Sequence, residues 1–173
     1  MNPSAIDCYR RGLAGFYEGD IQQAIVNFTE GIRLDPDYAF AWWARGIFYR
    51  LKGDYDQAIK DCGEAIKLNP EKALYWHSRG RTCLFKGDYN QAIKDYGVAI
   101  RRDLDNDSAW CCRGWVYYEK GEYEKAIMDF SVAIKLKPDD TYAWESRWAA
   151  YYKLGKKAEA RADFLKVFEL AAK

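Results

Sequence analysis

The chain has 173 residues, 49% apolar and 31% charged, ordinary proportions for a globular protein of one or two domains. Lys and Arg number 27 against 26 Asp and Glu, a formal net charge of +1, so the basic excess of a nucleic-acid binder is missing and no nucleic-acid partner is expected. No apolar run approaches the ~20 residues of a membrane-spanning helix, and the start, Met1-Asn2-Pro3-Ser4-Ala5, lacks the features of a signal peptide; a cytoplasmic chain with no membrane partner is the expectation.

From Ala5 onward the elements recur every 34 residues without insertion. Such self-similarity marks a solenoid, in which each repeat buries its apolar face against its neighbours. The repeats read 5–38, 39–72, 73–106, 107–140 and 141–173, forming one domain over 1–173. The first sets the register with Arg11, Gly12, Gly19 and Ala24. The second shows the plan in full. Its first helix is predicted from Ala39 to Leu51, with Trp42, Gly46 and Tyr49 at helical spacing. Gly53 ends that helix, since glycine takes the left-handed conformation there, and Asp54 can cap the next. Tyr55, Ala58, Ile59, Cys62, Ala65 and Ile66 stripe the second helix, and Asn69-Pro70 closes the repeat. The small Gly46, Ala58 and Ala65 permit close helix approach.

The third and fourth repeats follow the same plan at Trp76, Arg79, Gly80 and Gly87, then at Trp110, Arg113, Gly114 and Gly121. The fifth keeps Trp144, Arg147, Gly155 and Ala160. It carries Trp148 at the glycine position, Lys157 for the recurring tyrosine and Arg161 for the recurring isoleucine, while Phe164, Val167 and Phe168 stay apolar. Two readings stand for this C-terminal face: a cut or tolerated helix end, and weak self-association. Contacts that do not close into a ring are hazardous, which weighs against the second.

The patterns W-x-x-R-G-x-x-Y, G-D-Y-x-x-A-I and A-I-x-L-x-P resemble the tetratricopeptide repeat family over essentially the whole chain. Leu104 stands where proline is expected, and Cys62 replaces a large aromatic. The resemblance implies an all-α, right-handed α-solenoid of about ten helices, whose first helices line a concave groove for a peptide or a partner's helix.

Within each first helix, positions four, seven, eight and eleven are nearly constant. Positions two, five, nine and twelve share another face and vary between repeats. Solubility alone would call for Lys, Glu and Ser there. The chain, 17% aromatic with 7 Trp and 14 Tyr, instead carries Phe40, Trp43, Arg50, His77, Arg81, Trp115, Tyr118 and Tyr142. Trp, Tyr and Arg dominate binding hot spots; packing against adjacent first helices is the competing account for any one of them. Some members of the family hold a chaperone's C-terminal carboxylate through lysines, asparagines and an arginine. The matching positions here are Tyr9, Leu13, Ala44, Leu74 and Ser78, and no other window fits better. A hydrophobic or aromatic segment of a partner protein is the better-matched ligand.

The seventh-position arginines, Arg11, Arg45, Arg79, Arg113 and Arg147, are each followed 16 residues later by Asn27, Asp61, Asp95, Asp129 or Asp163. Ion pairs Arg45–Asp61, Arg79–Asp95, Arg113–Asp129 and Arg147–Asp163 are expected between the two helices of a repeat. A basic ladder for an anionic ligand is the rival. Catalytic parts are scarce. His77 is the single histidine, the glycines punctuate repeats rather than form a phosphate loop, and the five cysteines lack metal spacing. Cys111, beside Cys112, is the one candidate for a reactive thiol, set against its reading as a small buried hydrophobe. The expectation is an interaction module, scaffold or adaptor, without enzyme activity, cofactor or metal. The alternatives are a solenoid that assembles through its end faces and one domain of a larger protein.

Overall fold

The computed structural model of the chain describes residues 2–17 and 19–172. Among them are ten helices: α1 (Pro3–Tyr17), α2 (Ile21–Leu34), α3 (Ala39–Lys52), α4 (Tyr55–Leu68), α5 (Ala73–Lys86), α6 (Tyr89–Arg102), α7 (Asp107–Glu119), α8 (Tyr123–Leu136), α9 (Thr141–Lys153) and α10 (Lys157–Ala171). The boundaries follow the local chemistry. Gly53 takes φ 86° and ends α3, and Asp54 caps α4 by accepting from the backbone of Gln57. The other glycines of the same register, Gly19, Gly87, Gly121 and Gly155, also have positive φ.

The chain forms two compact units, Met1–Asp88 and Tyr89–Lys173. The first holds α1 to α5, the second α6 to α10. In each, every helix packs on the one before it, and first helices of adjacent repeats meet, α3 with α5 and α7 with α9. This all-α plan of stacked hairpins is the expected fold class.

Small residues set the core. Ala24, Ala58, Ala65, Ala92, Ala99 and Ala126 are fully buried. At the glycine position, a Cβ on Gly114 would lie 2.7 Å from the ring of Phe130, and on Gly46 it would lie 3.0 Å from Cys62 Sγ. Glycine therefore makes room for the side chain of the second helix. The fifth repeat shows the converse. Trp148 occupies this position, and Phe164, the counterpart of the fully buried Phe130, is 45% exposed against the Trp148 ring.

Three of the four expected ion pairs lie within one unit, and all three form. Arg45 donates from Nε and Nη2 to Asp61 at 2.7 and 2.9 Å. Arg113 holds Asp129 at 2.7 and 2.8 Å, and Arg147 holds Asp163 at 2.8 and 2.7 Å. Arg79 and Asp95 belong to different units. Burial raises the Asp129 carboxyl, although the Arg113 contact pulls it down, while the hydrogen bond to Asp129 raises the guanidinium. The net stability from such a pair is small, because desolvation of both charges offsets much of their attraction.

The recurring tryptophan, three residues earlier, completes the arrangement. The Arg45, Arg113 and Arg147 guanidiniums lie 5.0, 5.0 and 4.9 Å from the Trp42, Trp110 and Trp144 rings. Each indole N–H donates to a loop carbonyl six residues back: Trp42 to Pro36, Trp76 to Pro70, Trp110 to Leu104 and Trp144 to Pro138. Leu104 serves as well as proline because only its carbonyl is used.

Candidate functional site

The variable face of the first helices opens a concavity of about 440 Å³ in the unit Met1–Asp88, lined by α1, α3 and α5. Leu13, Trp43, Ile47, Phe48 and Leu74 give it an apolar floor, and Arg50, His77, Ser78 and Arg81 also line it. Its volume falls within the about 300–1,000 Å³ of ligand sites in general.

Trp43 is fixed in place. Its indole N–H donates to Ser78 Oγ at 2.8 Å, joining α3 to α5. Phe40, 37% exposed, stands beside the recess, edge-on to Trp43 at 5.9 Å and to Tyr75 at 5.8 Å. Tyr75 fills a position that is Asp7 in the first repeat and alanine in the other three (Ala41, Ala109, Ala143). It is 1% exposed, and burial pushes its phenol up to about 12. Its departure from alanine is a signal in the sequence that this part of the face is built differently.

His77 and Arg81 are one helical turn apart on α5, so they share a face. Burial, then the nearby charges of Arg81 and Arg50, lower the His77 pKa to about 4. The imidazole is therefore neutral at physiological pH. The Arg50 guanidinium lies 5.5 Å from the Phe85 ring, and Arg81 is exposed.

The remaining candidates, Trp115, Tyr118 and Tyr142, lie in the unit Tyr89–Lys173. The Trp115 ring contacts Tyr118 at 5.1 Å, Tyr142 at 6.0 Å and the buried Phe130 at 6.2 Å. Its N–H is enclosed without an acceptor among the described residues. Tyr142 is 52% exposed. Trp115 is thus partly a core residue, and Tyr142 is the open edge of this cluster. The eight candidates divide into five in one unit and three in the other.

A second apolar recess of about 280 Å³ lies on α9 and α10, lined by Glu145, Trp148, Phe164, Val167 and Phe168. Sequence reasoning singled out Trp148, Phe164, Val167 and Phe168 but not Glu145, nor the contact of the Phe164 ring with Trp148 at 6.1 Å. Cys111 is 6% exposed in a core with Ala133, Ala143 and Ala150. Burial pushes its thiol up to about 12, which removes the thiolate that reactivity needs. No group of three His, Cys, Asp or Glu able to hold a metal ion occurs among the described residues. No helix among them is long and apolar enough to cross a membrane.

Comparison with known proteins bears on the scaffold. Family models described as tetratricopeptide repeat match residues 8–38, 39–72 and 149–173, and one described as TPR repeat matches 80–121 and 114–155. A search of curated proteins found no match. Among solved structures, a crystal structure of MamA protein is 25% identical, with TM-score 0.89, over 100% of this chain and 94% of that one. MamA from Desulfovibrio magneticus RS-1 is 20% identical, with TM-score 0.91, over 99% and 97% of the two chains. YrrB, described as a TPR protein with an unusual peptide-binding site, is 16% identical, with TM-score 0.78, over 96% and 86%.

Proposed function

Because the chain belongs to the tetratricopeptide repeat family, whose fold is that of a protein-interaction scaffold, we propose that it acts as an adaptor that binds a peptide or helix of a partner protein on the variable face of its first helices. The contacts are Phe40, Trp43, Arg50, His77 and Arg81 in one unit, and Trp115, Tyr118 and Tyr142 in the other. The observation that carries this reading is the apolar concavity around Trp43, whose indole is held by Ser78. A preformed surface with its aromatic anchor already oriented loses little side-chain entropy on binding.

Selection of displayed random peptides on the immobilised protein tests the reading. Enriched peptides are expected to carry aromatic or aliphatic anchors and to lose binding to a Trp43→Ala variant of unchanged helical content. Peptides that bind wild type and variant equally would refute the groove.

The exposed Phe164, Leu165 and Phe168 favour a second reading, self-association through the α9–α10 surface. Light scattering over a concentration series decides it: mass growth in wild type that is absent in Phe164→Ser/Phe168→Ser supports assembly, and constant mass excludes it.

A further inference from the structure

Helix α10 departs from the other second helices along one row. In α2, α4, α6 and α8 the residues at i, i+4 and i+7 are isoleucine, a small residue and isoleucine, as Ile127, Ser131 and Ile134 are in α8. In α10 the same row is Arg161, Leu165 and Phe168, all exposed. The small residue makes room for the recurring arginine of the next repeat. Ser131 Oγ accepts from Arg147 Nη1 at 2.9 Å and Thr29 Oγ1 from Arg45 Nη1 at 3.1 Å, and a Cβ on Gly63 would lie 3.9 Å from Arg79 Nη1. Leu165 fills that space, so the α10 face is not shaped for another repeat of this plan. Helix α1 of another copy does not match it either. Asp7 and Arg11, both exposed, stand at the registers of Ala143 and Arg147, by which α9 meets α8. Setting Asp7 against Leu165 and Phe168 would press a charge onto an apolar surface.

We propose, on the self-association reading above, that two copies of this chain pair through α10 about a two-fold axis, with the two helices antiparallel and centred near Leu165. The face is complementary to itself in that arrangement. Arg161 and Glu169 lie four residues on either side of Leu165, about 6 Å each along the helix, so antiparallel pairing sets Arg161 of each copy level with Glu169 of the other. Parallel pairing would set each charge against its like. Glu169 also holds Lys166 at 2.9 Å, and a carboxylate has acceptor capacity for both cations. Between the charged ends, Leu165, Phe168 and the recess beside Trp148 and Phe164 are covered by the same residues of the second copy. A two-fold contact of this kind closes at two copies, unlike a head-to-tail one.

Sedimentation equilibrium over a concentration series tests it. The mass of wild type is expected to rise from 20.1 kDa to twice that value and stop. Arg161→Glu and Glu169→Arg, both at exposed positions, should each weaken pairing by about tenfold with unchanged helical content, because each reversal acts at both ends of the contact. An equal mixture of the two variants should pair as tightly as wild type, since opposite charges then meet at both ends. Growth past two copies would overturn the two-fold contact and leave self-association standing. Pairing that the single variants do not weaken, or that their mixture does not restore, would overturn it in the same way. Constant mass at every concentration would remove the self-association reading and this inference together, and leave the face to a helix of another protein.

Discussion

Replacing Asp61 with alanine removes the anchor of the best buried of the three ion pairs described above. Asp61 is 1% exposed and Arg45 11%. The carboxylate accepts from Arg45 at 2.7 and 2.9 Å and from Gln57 Nε2 at 2.9 Å. Breaking a buried pair from one side costs about 3–5 kcal/mol, because a charge is left without its partner. Arg45 keeps its bond to Thr29 Oγ1 and its place over Trp42, so the lower end, about 3 kcal/mol, is expected. In urea denaturation followed by circular dichroism, with a slope of about 2 kcal/mol/M, the midpoint should fall by about 1.5 M. Stability in a solenoid is a sum of neighbour terms, so hydrogen exchange in α3 and α4 should report the loss locally. Asp7→Ala is the control. Its pair with Arg10 spans 3.5 Å with both side chains more than 60% exposed, and the loss should stay below about 1 kcal/mol. The double replacement Arg45→Met/Asp61→Leu, which removes both charges, should lie within about 1 kcal/mol of wild type. If Asp61→Ala costs no more than Asp7→Ala, the arginine row is not held by its aspartates, and the ladder for an anionic ligand returns as the better account.

Gly114→Val should destabilise by about 2 kcal/mol, because its Cβ would stand 2.7 Å from the Phe130 ring. Gly63→Ala should stabilise by about 0.5–1 kcal/mol, since the nearest atom to its Cβ is an Arg79 nitrogen at 3.9 Å; thermal melts giving the same sign for both would contradict the packing described. His77 is the one histidine, so its imidazole resonances are assigned at once, and their NMR midpoint is expected near about 4. With the folded value depressed from 6.5, the unfolded chain takes up the proton first. The contribution of the neutral ring is therefore complete above pH 6.5 and is lost as pH falls toward 4, up to about 3 kcal/mol; a wild-type stability profile matching that of His77→Gln over this window would refute it. Cys111 should resist alkylation at neutral pH until urea opens the core, as its thiol pKa is pushed up to about 12, and rapid native labelling located by mass spectrometry would reverse that conclusion.

The sequence by itself determined whatever lies inside one hairpin. Gly53, Asp54 and the Arg45–Asp61 pair recur at constant offsets, so comparing the chain with itself exposes them, and short-range geometry leaves them few alternatives. The face of the first helices was legible too, because its positions vary while their neighbours on the helix do not. What that face does was decided only by the packing of one repeat on the next. Trp43 and Trp42 are adjacent in sequence, yet one lines a recess and is held by Ser78, 35 residues away, while the other stacks on Arg45 and bonds to Pro36. Phe130 and Phe164 share a register, but the first is fully buried in a core that includes Ala143 and Ala150 of the next repeat, while the second, against the Trp148 ring, is 45% exposed. His77 is neutral because it is partly buried and because Arg50, on another helix, adds its charge to that of Arg81. Some contacts between repeats recur with the period, as Trp42 with Pro36 does, but those around Trp43 and His77 are made by residues that do not recur, so no internal period records them, and burial and field at such positions exist only once the helices are assembled.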